Sequence, residues 1–291
     1  MGVITRVSIE QINELIKKTN IKFISLQETK NGITDSTYIG TSVNMTKYIF
    51  KIFENSTLTN VKNKVSILES IKDLKVPKVI SKEIVLYENK PTILFSFIEG
   101  KIAKKITLKE IEEITTFLFK LHSKKNIKTS NENIYTKDYF EKMLNKTADK
   151  NLKLILKNKY QVIRNIDLKN NSLIHGDLFP DNAKFIDGKL SGVYDFAQAS
   201  FGNAYFDLAV LIISWCFDEY TFNERYFEKI LEVYSKNREV RISKDEIKEY
   251  LLFACLYYTV QRITRENKMK DYKEYQIKFD ILENLFNGTN K

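Results

Sequence analysis

The sequence predicts an α+β protein, a small antiparallel β-sheet part followed by a larger and mostly helical one. Three observations predict it. The first hundred residues hold short alternating apolar and polar runs bounded by turn signals. From Thr107 onward the apolar spacing becomes helical. Within that helical part, Ser172 to Asp195 reads instead as a polar loop and a tight hairpin.

With 291 residues the chain suits one large domain or two lobes, and the apolar strand running into Glu99-Gly100 divides it into a part over 1–98 and a part over 99–291. Hydrophobic residues at 43% and charged residues at 29% are those of a soluble globular protein. No apolar run approaches the roughly 20 residues that cross a bilayer, so no membrane partner is expected. Met1 to Thr19 reads as an acid-bearing helix rather than a secretory leader, and a cytoplasmic protein is expected. Cys216 and Cys255 stand far apart in apolar helical contexts, as buried thiols in a reducing compartment do. The net charge of +10 comes from lysines scattered over every segment, without a basic stripe or tail. Nucleic-acid binding wants clustered charge, so it is not expected here. A basic surface also suits an enzyme with an anionic nucleotide.

Ser8 to Lys18 reads as a short helix capped by Ser8, with Ile9, Ile12, Leu15 and Ile16 on one face. Lys22 to Thr29, Ser36 to Thr41 and Lys47 to Phe53 follow as strands. The turn Gly32 to Thr37 stands where a phosphate-covering loop would, with backbone N–H groups and the Ser36 or Thr37 hydroxyls as its donors. Lys51 alternates with apolar neighbours on its strand; a kinase-like lobe would place there the lysine that reaches nucleotide phosphates, although a solvent-facing strand lysine gives the same letters. Val61 to Leu74 reads as a helix ended by Pro77, and Glu69 is its one central acid, the candidate partner of Lys51 or else a surface glutamate. Glu83 to Tyr87 and Thr92 to Phe97 complete about five strands. Phe97-Ile98-Glu99-Gly100 then reads as a hinge, whose Ser96 and Ile98 backbone groups could bond an adenine.

Thr107 to Ser123 carries a capping box, Thr107 with Glu110, and one apolar face. His122 at its end reads as structural. Thr136 to Lys157 and Tyr160 to Leu168 read as two further helices. After the hairpin, Asn203 to Cys216 is apolar nearly all round and therefore buried. Asp207 near its start is a buried charge in need of partners, expected to brace the polar loop through His175 or backbone N–H groups. Phe222 to Ser235, Ser243 to Asn267 and Lys270 to Phe286 complete the helical part.

The chemistry concentrates between Ser172 and Asp195. His175-Gly176-Asp177 is followed by Asn182 five residues after the aspartate, and Asp195 opens Asp195-Phe196-Ala197. Asp187-Gly188 separates the apolar runs Ala183 to Ile186 and Leu190 to Tyr194, folding the chain so that residues thirteen apart converge. Phosphoryl transfer needs an aligned hydroxyl and charge neutralisation more than covalent help. Asp177 is placed to accept the hydroxyl proton, and Asn182 and Asp195 offer the hard oxygens that magnesium prefers. A polar turn before an ordinary hairpin is the plainer reading, but four elements in this order favour a kinase-type core.

These motifs resemble the aminoglycoside phosphotransferase and choline kinase superfamily, through Phe97 to Gly100, Leu121-His122, His175 to Asp177 and Asp195-Phe196. Within it, the likeness of Val3 to Ser8, His175 to Asn182, Leu190 to Phe196, Tyr205 to Ala209 and Trp215 to Asp218 is to the kinase-like (type II) homoserine kinases. The resemblance implies a two-lobed protein-kinase-like fold, ATP and Mg2+ as cofactors, and a small-molecule alcohol as acceptor, L-homoserine first. It implies Asp177 as catalytic base, Asn182 and Asp195 as magnesium ligands, and Ser96 and Ile98 as hinge contacts. An amino-acid acceptor needs a carboxylate clamp and an ammonium acceptor, for which Arg262 or Arg265, Asp218 and Trp215 are the candidates. The chain departs from that group at Ile213-Ser214, where a polar pair is usual, and at Tyr257, where an arginine is expected. Choline, ethanolamine, a sugar or an aminoglycoside remain as acceptors, and Tyr205, Trp215, Tyr257 and Tyr258 could cage a choline. A non-catalytic nucleotide-binding protein is the reading from another class, and a monomer or homodimer is expected.

Overall fold

The structure is a computed structural model that describes residues 3–29, 35–125, 127, 129, 131–238, 241–264 and 272–288. Five antiparallel strands make one sheet: Phe23–Glu28 (β1), Ser36–Ser42 (β2), Lys47–Ile52 (β3), Val85–Tyr87 (β4) and Lys90–Ser96 (β5), in the order β1-β2-β3-β5-β4. In β2, Ser36, Tyr38, Gly40 and Ser42 are buried while the residues between them are half-buried, the period of two that fixes register. That register sets Thr37 directly opposite Lys51, so the two share one face.

Each face of the sheet has its own cover. Helix Ile9–Leu15 (α1) begins with a complete capping box between Ser8 and Gln11. Its Ile12 packs with Ile16, Phe23, Tyr38, Phe50, Ile52 and Leu94. Helix Leu58–Ser70 (α2) is capped by Thr57, whose hydroxyl accepts the Asn60 N–H, and so begins three residues before the Val61 that apolar spacing predicts. It turns Val61, Ile67 and Leu68 into the larger core, with Phe53, Ile93 and Phe95.

The remaining chain is mostly helical. Leu108–His122 (α3) carries the Thr107–Glu110 capping box. The long helix expected over Thr136 to Lys157 is two helices, Lys137–Asn145 (α4) and Lys150–Val162 (α5). Asp149 divides them, because its carboxylate accepts the Asn151 and Leu152 N–H groups and so begins a new helix. The helix expected over Tyr160 to Leu168 stops early. Asp167 bonds the Lys169 N–H instead, a local turn that competes with helix.

Strand Ser172–Ile174 (β6) follows, then the hairpin Ala183–Ile186 (β7) and Lys189–Val193 (β8). Its turn residues Asp187 and Gly188 have φ of 51° and 72°, the left-handed pair of a type I′ turn that matches strand twist. Strand Ser200–Gly202 (β9) pairs with β6, and both are too short for their pattern to be visible in sequence. Ala204–Trp215 (α6), buried nearly throughout, is surrounded by Glu224–Arg238 (α7), Lys244–Thr264 (α8) and Tyr272–Gly288 (α9). A two-stranded ribbon, Phe217–Asp218 (β10) with Thr221–Phe222 (β11), follows α6. Cys216 and Cys255 are buried free thiols. No helix among the described residues is long and apolar enough to cross a membrane.

The hairpin joins the two parts. Lys101 and Phe185 exchange both backbone bonds, at 3.0 and 2.9 Å. The Val193 N–H donates to the Lys75 carbonyl at 2.8 Å, and the Lys75 ammonium to the Leu190 carbonyl at 2.7 Å. Residues flanking the hairpin therefore lie at the seam between sheet and helices.

Candidate active site

The loop after β6 is held at nearly every peptide. Asp207, one turn into α6 and fully buried, accepts the His175 N–H at 2.7 Å and the Gly176 N–H at 2.8 Å. His122 Nε2 adds a third bond to the same carboxylate at 3.0 Å, and its Nδ1 lies 2.6 Å from the Tyr234 hydroxyl. Burial alone would push the Asp207 carboxyl up, but the His122 hydrogen bond and the charges and N–H groups around it hold it below the ordinary value.

The carbonyls of the same loop are each claimed by a side chain. Gly176 accepts from two tyrosine hydroxyls, Tyr135 at 2.6 Å and Tyr258 at 2.7 Å. Asp177 accepts from the Asn182 amide at 2.8 Å. Leu178 accepts from the Trp215 indole at 2.9 Å. Gly176 takes φ of 76°, and a Cβ there would come within 2.4 Å of the Tyr135 ring, so glycine is required. A backbone thus pinned sets the direction of the Asp177 side chain, which is half-buried.

His175 links this loop to Asp195. The Asp177 N–H can only donate, so His175 Nδ1 is the acceptor at 3.2 Å, and the ring proton sits on Nε2, 3.2 Å from the Tyr194 carbonyl. Burial pushes this imidazole down, against the pull of Asp207 and Asp195, so it is neutral. The Tyr194 N–H in turn donates to the Asn182 carbonyl at 3.0 Å. Asp195 itself is exposed and left-handed, with φ of 64° and ψ of 60°. Such strain in a non-glycine residue persists where the surroundings fix it, as they do here.

These positions fit a divalent cation that keeps part of its water. The Asn182 amide nitrogen is committed to the Asp177 carbonyl, which leaves Oδ1 as the end of the amide that could take a cation. Among the described residues no cluster of three His, Cys, Asp or Glu side chains gathers as a self-sufficient metal site. Two hard oxygens with phosphate and water are a magnesium-like set.

On the sheet side, several expected contacts take other partners. Lys51 pairs with Asp35 at 2.9 Å rather than with Glu69, which lies 3.6 Å from Lys72 on the solvent side of α2. The Ser36 hydroxyl is buried, accepting the Ile4 and Thr5 N–H groups at 2.8 Å and donating to Glu54, so it braces the N-terminal segment instead of facing a phosphate. Thr37 stands beside Lys51 on the sheet. The Gly32 to Thr34 portion of the expected covering turn lies outside the described residues. At the expected hinge, the Ser96 N–H donates to the Lys78 carbonyl at 2.9 Å, the Ser96 hydroxyl accepts the Lys78 N–H at 2.8 Å, and the Ile98 carbonyl accepts from the Lys184 ammonium at 2.9 Å. The Ile98 N–H donates to no described residue.

The acceptor side is similarly corrected at Trp215, which is fully buried with its N–H on Leu178 and so presents no face to a ligand. Tyr257 and Tyr258 are sealed in the same way, and Tyr205 packs on Tyr250 and on the Arg238 guanidinium, 5.3 Å from its ring. No choline cage is formed by these four. Asp218 is exposed on the ribbon after α6, opposite Thr221. Arg262 lies on the last turn of α8 with its guanidinium 5.8 Å from the Tyr275 ring, and Arg265 is outside the described residues. Two residues around the site, Lys64 and Tyr135, were not singled out in sequence, and Tyr258 was read only as a possible member of a choline cage. Asp35 lay inside the predicted turn without a role of its own, and nothing in the spacing marked Lys64 or Tyr135.

A five-stranded antiparallel sheet ahead of a mostly helical part, with a His-Gly-Asp loop and the hairpin between them, is a protein-kinase-like fold. Residues 25–240 match the model of the APH phosphotransferase enzyme family, and the chain belongs to that family. A homoserine kinase from Methylobacillus flagellatus is 24% identical over 229 residues, 74% of this chain and 72% of that protein. Other proteins of that name match over about a fifth of their length. Among solved structures, choline kinase LicA from Streptococcus pneumoniae superposes with a TM-score of 0.68 at 16% identity, covering 94% of this chain and 98% of that one. A spectinomycin phosphotransferase solved with ADP and spectinomycin gives 0.66 at 14% identity, over 97% and 98%. At these identities the structural likeness is one of fold.

Proposed function

We propose that the protein transfers the γ-phosphoryl group of ATP to the hydroxyl of a small molecule, with L-homoserine as the first candidate. The observation that carries this is the immobilised loop: peptide groups from His175 to Leu178 are tied down by Asp207, Tyr135, Tyr258, Asn182 and Trp215. Phosphoryl transfer is mostly a matter of alignment, and a rigid carboxylate is what alignment requires. In this reading Asp177 orients the acceptor hydroxyl and takes its proton. Asn182 and Asp195 hold a magnesium ion, which when bound neutralises phosphate charge. Lys51 faces the phosphates, and the free Ile98 N–H with the Ser96 carbonyl meets the nucleobase. We place the boundary between the two lobes after Ile98.

Homoserine is supported by the name of the relative that matches over most of its length. The burial of Trp215, Tyr257 and Tyr258 speaks against choline, which a cage of open aromatic faces recognises. Arg262 and Asp218 remain the candidates for an amino-acid carboxylate and ammonium. The test is ADP release over a panel of homoserine, choline, ethanolamine, simple sugars and aminoglycosides. Turnover confined to homoserine supports the reading. Turnover with another alcohol overturns the acceptor but keeps the phosphotransfer, and ATP binding without any turnover favours a nucleotide-binding protein.

A further inference from the structure

Helix α2 brings a cation to the place where a glutamate was expected. Lys64 stands on the side of it that faces Phe53, and Glu69, five residues on, is turned about 140° away around the helix. The Lys64 ammonium lies 5.0 Å from the Phe53 ring centroid, and the Lys51 ammonium lies 5.1 Å from the same centroid. The two lysines differ in their partners. Lys51 is paired with Asp35 at 2.9 Å, whose other oxygen accepts the Glu54 N–H at 3.2 Å. Lys64 has only the Ser56 hydroxyl, at 3.3 Å, and no described carboxylate is within ion-pair distance of it.

Lys64 is also electrostatically in the site. It is partly buried, and this desolvation pushes its ammonium down; Lys51 acts in the same sense, while Asp35 and Asp195 pull it up. Helix α2 packs against the turn Phe196–Gln198 that immediately follows Asp195. The lysine thus shares the Phe53 ring with Lys51 of the Lys51–Asp35 pair, on a helix that packs against the turn following Asp195. A half-buried ammonium without a counter-ion is costly unless something anionic arrives.

We propose that Lys64 is a second phosphate-contacting cation, which with Lys51 grips the terminal phosphates of a nucleoside triphosphate as they pass toward Asp195. This rests on the phosphotransfer reading above. In it, Asp35 does the holding of Lys51 from the strand side, which frees α2 to supply charge directly to the ligand. An ammonium suits that work, being a compact point charge with three donors. The gain falls on the phosphates alone, so adenosine should not sense it.

The test is calorimetric binding of MgATP, MgADP and adenosine, without acceptor, to the wild-type chain and to Lys64→Met, Lys64→Arg and Lys51→Met. Lys64→Met should weaken MgATP about tenfold, the loss of one charge-assisted contact, and leave adenosine within twofold of the wild type. Lys64→Arg should recover most of the loss, and a thermal midpoint within a few degrees of the wild type shows that the fold is intact. If Lys64→Met binds MgATP as the wild type does while Lys51→Met is weakened, Lys64 only packs against Phe53 and the inference fails alone. If the wild type binds no MgATP, the photransfer reading fails first and the inference goes with it. Equal weakening of MgATP and adenosine also overturns it, since that marks a general disturbance of the site.

Discussion

Asp207 holds Gly176 from a distance of 31 residues, its Oδ1 accepting the glycine N–H at 2.8 Å while Oδ2 takes the neighbouring His175 N–H at 2.7 Å. The buried helix α6 and the loop thus move as one body, and the left-handed turn at Gly176 is kept against its own entropy. Asp207→Ala leaves three buried donors without an acceptor and should cost about 2–5 kcal/mol of stability in urea unfolding. Asp207→Asn keeps the volume and one acceptor, and should cost less while still lowering kcat more than it raises KM for ATP. Equal kcat in the asparagine variant and the wild type would show that the loop aligns without this brace.

Asp177 is proposed to work at the reacting hydroxyl, whereas Asp207 works only through the backbone. The two should separate in binding experiments. Asp177→Asn is expected to lower kcat by about a thousandfold, the usual scale for a general base in a positioned site. Its affinity for MgATP should stay near the wild-type value, because neither its backbone bond to Asn182 nor the Asp207 contacts depend on the carboxylate. ADP release in the presence of acceptor gives the first quantity, and calorimetry gives the second.

Lys51 and Glu69 provide a second separation. The ion pair between Lys51 and Asp35 leaves Glu69 with Lys72 on an exposed helix face. Exposed pairs contribute little, so Glu69→Ala should leave KM for ATP and the unfolding midpoint within about twofold and a degree or two. Lys51→Met should raise KM for ATP about tenfold by removing a charge-assisted phosphate contact. A tenfold change on Glu69→Ala would mean that Lys51 exchanges Asp35 for Glu69 during turnover.

The division of labour around the site also explains what could be read in advance. The hairpin was legible because Asp187-Gly188 satisfies a strict backbone requirement for two positive φ angles. Helices α1 and α3 were legible because the Ser8 cap and the Thr107–Glu110 capping box are local events of a few residues. The break between α4 and α5 was not, since Thr136 to Lys157 keeps helical apolar spacing and only the Asp149 cap interrupts it. The site divides in the same manner. Asp177, Asn182 and Asp195 are close in sequence and carry a recognisable spacing. Asp35, Tyr135 and Tyr258 act across long separations, as in the 82 residues between Tyr258 and Gly176, and no local pattern encodes such a meeting. Trp215 misled for a related reason: an aromatic near a site suggests a ligand, but its N–H was needed by Leu178.

His175 makes the protein's stability sensitive to mild acid. Burial lowers its folded-state pKa below the ordinary 6.5, although Asp207 and Asp195 both pull the other way and the Tyr194 carbonyl accepts its ring proton. In the unfolded chain the same imidazole titrates near its ordinary value. Between those two values the unfolded state binds more protons than the folded one, so stability rises with pH there and is lost as pH falls through about 6.5. The full contribution is present above that pH, and the slope reaches about 1.4 kcal/mol per pH unit for a single group. Asp207 behaves differently: its carboxyl is held low, so its contribution is lost only below the ordinary carboxylate range near pH 4. Urea unfolding at half-unit steps from pH 7.5 to 5.0, for the wild type and for His175→Gln, isolates the histidine as the difference between two curves. The wild-type curve should descend below pH 6.5 and the variant curve should be flatter over the same interval, from a lower plateau. Parallel curves would mean that His175 keeps its ordinary pKa in the folded loop, and that the bond from the Asp177 N–H to its Nδ1 is too weak to exclude a proton.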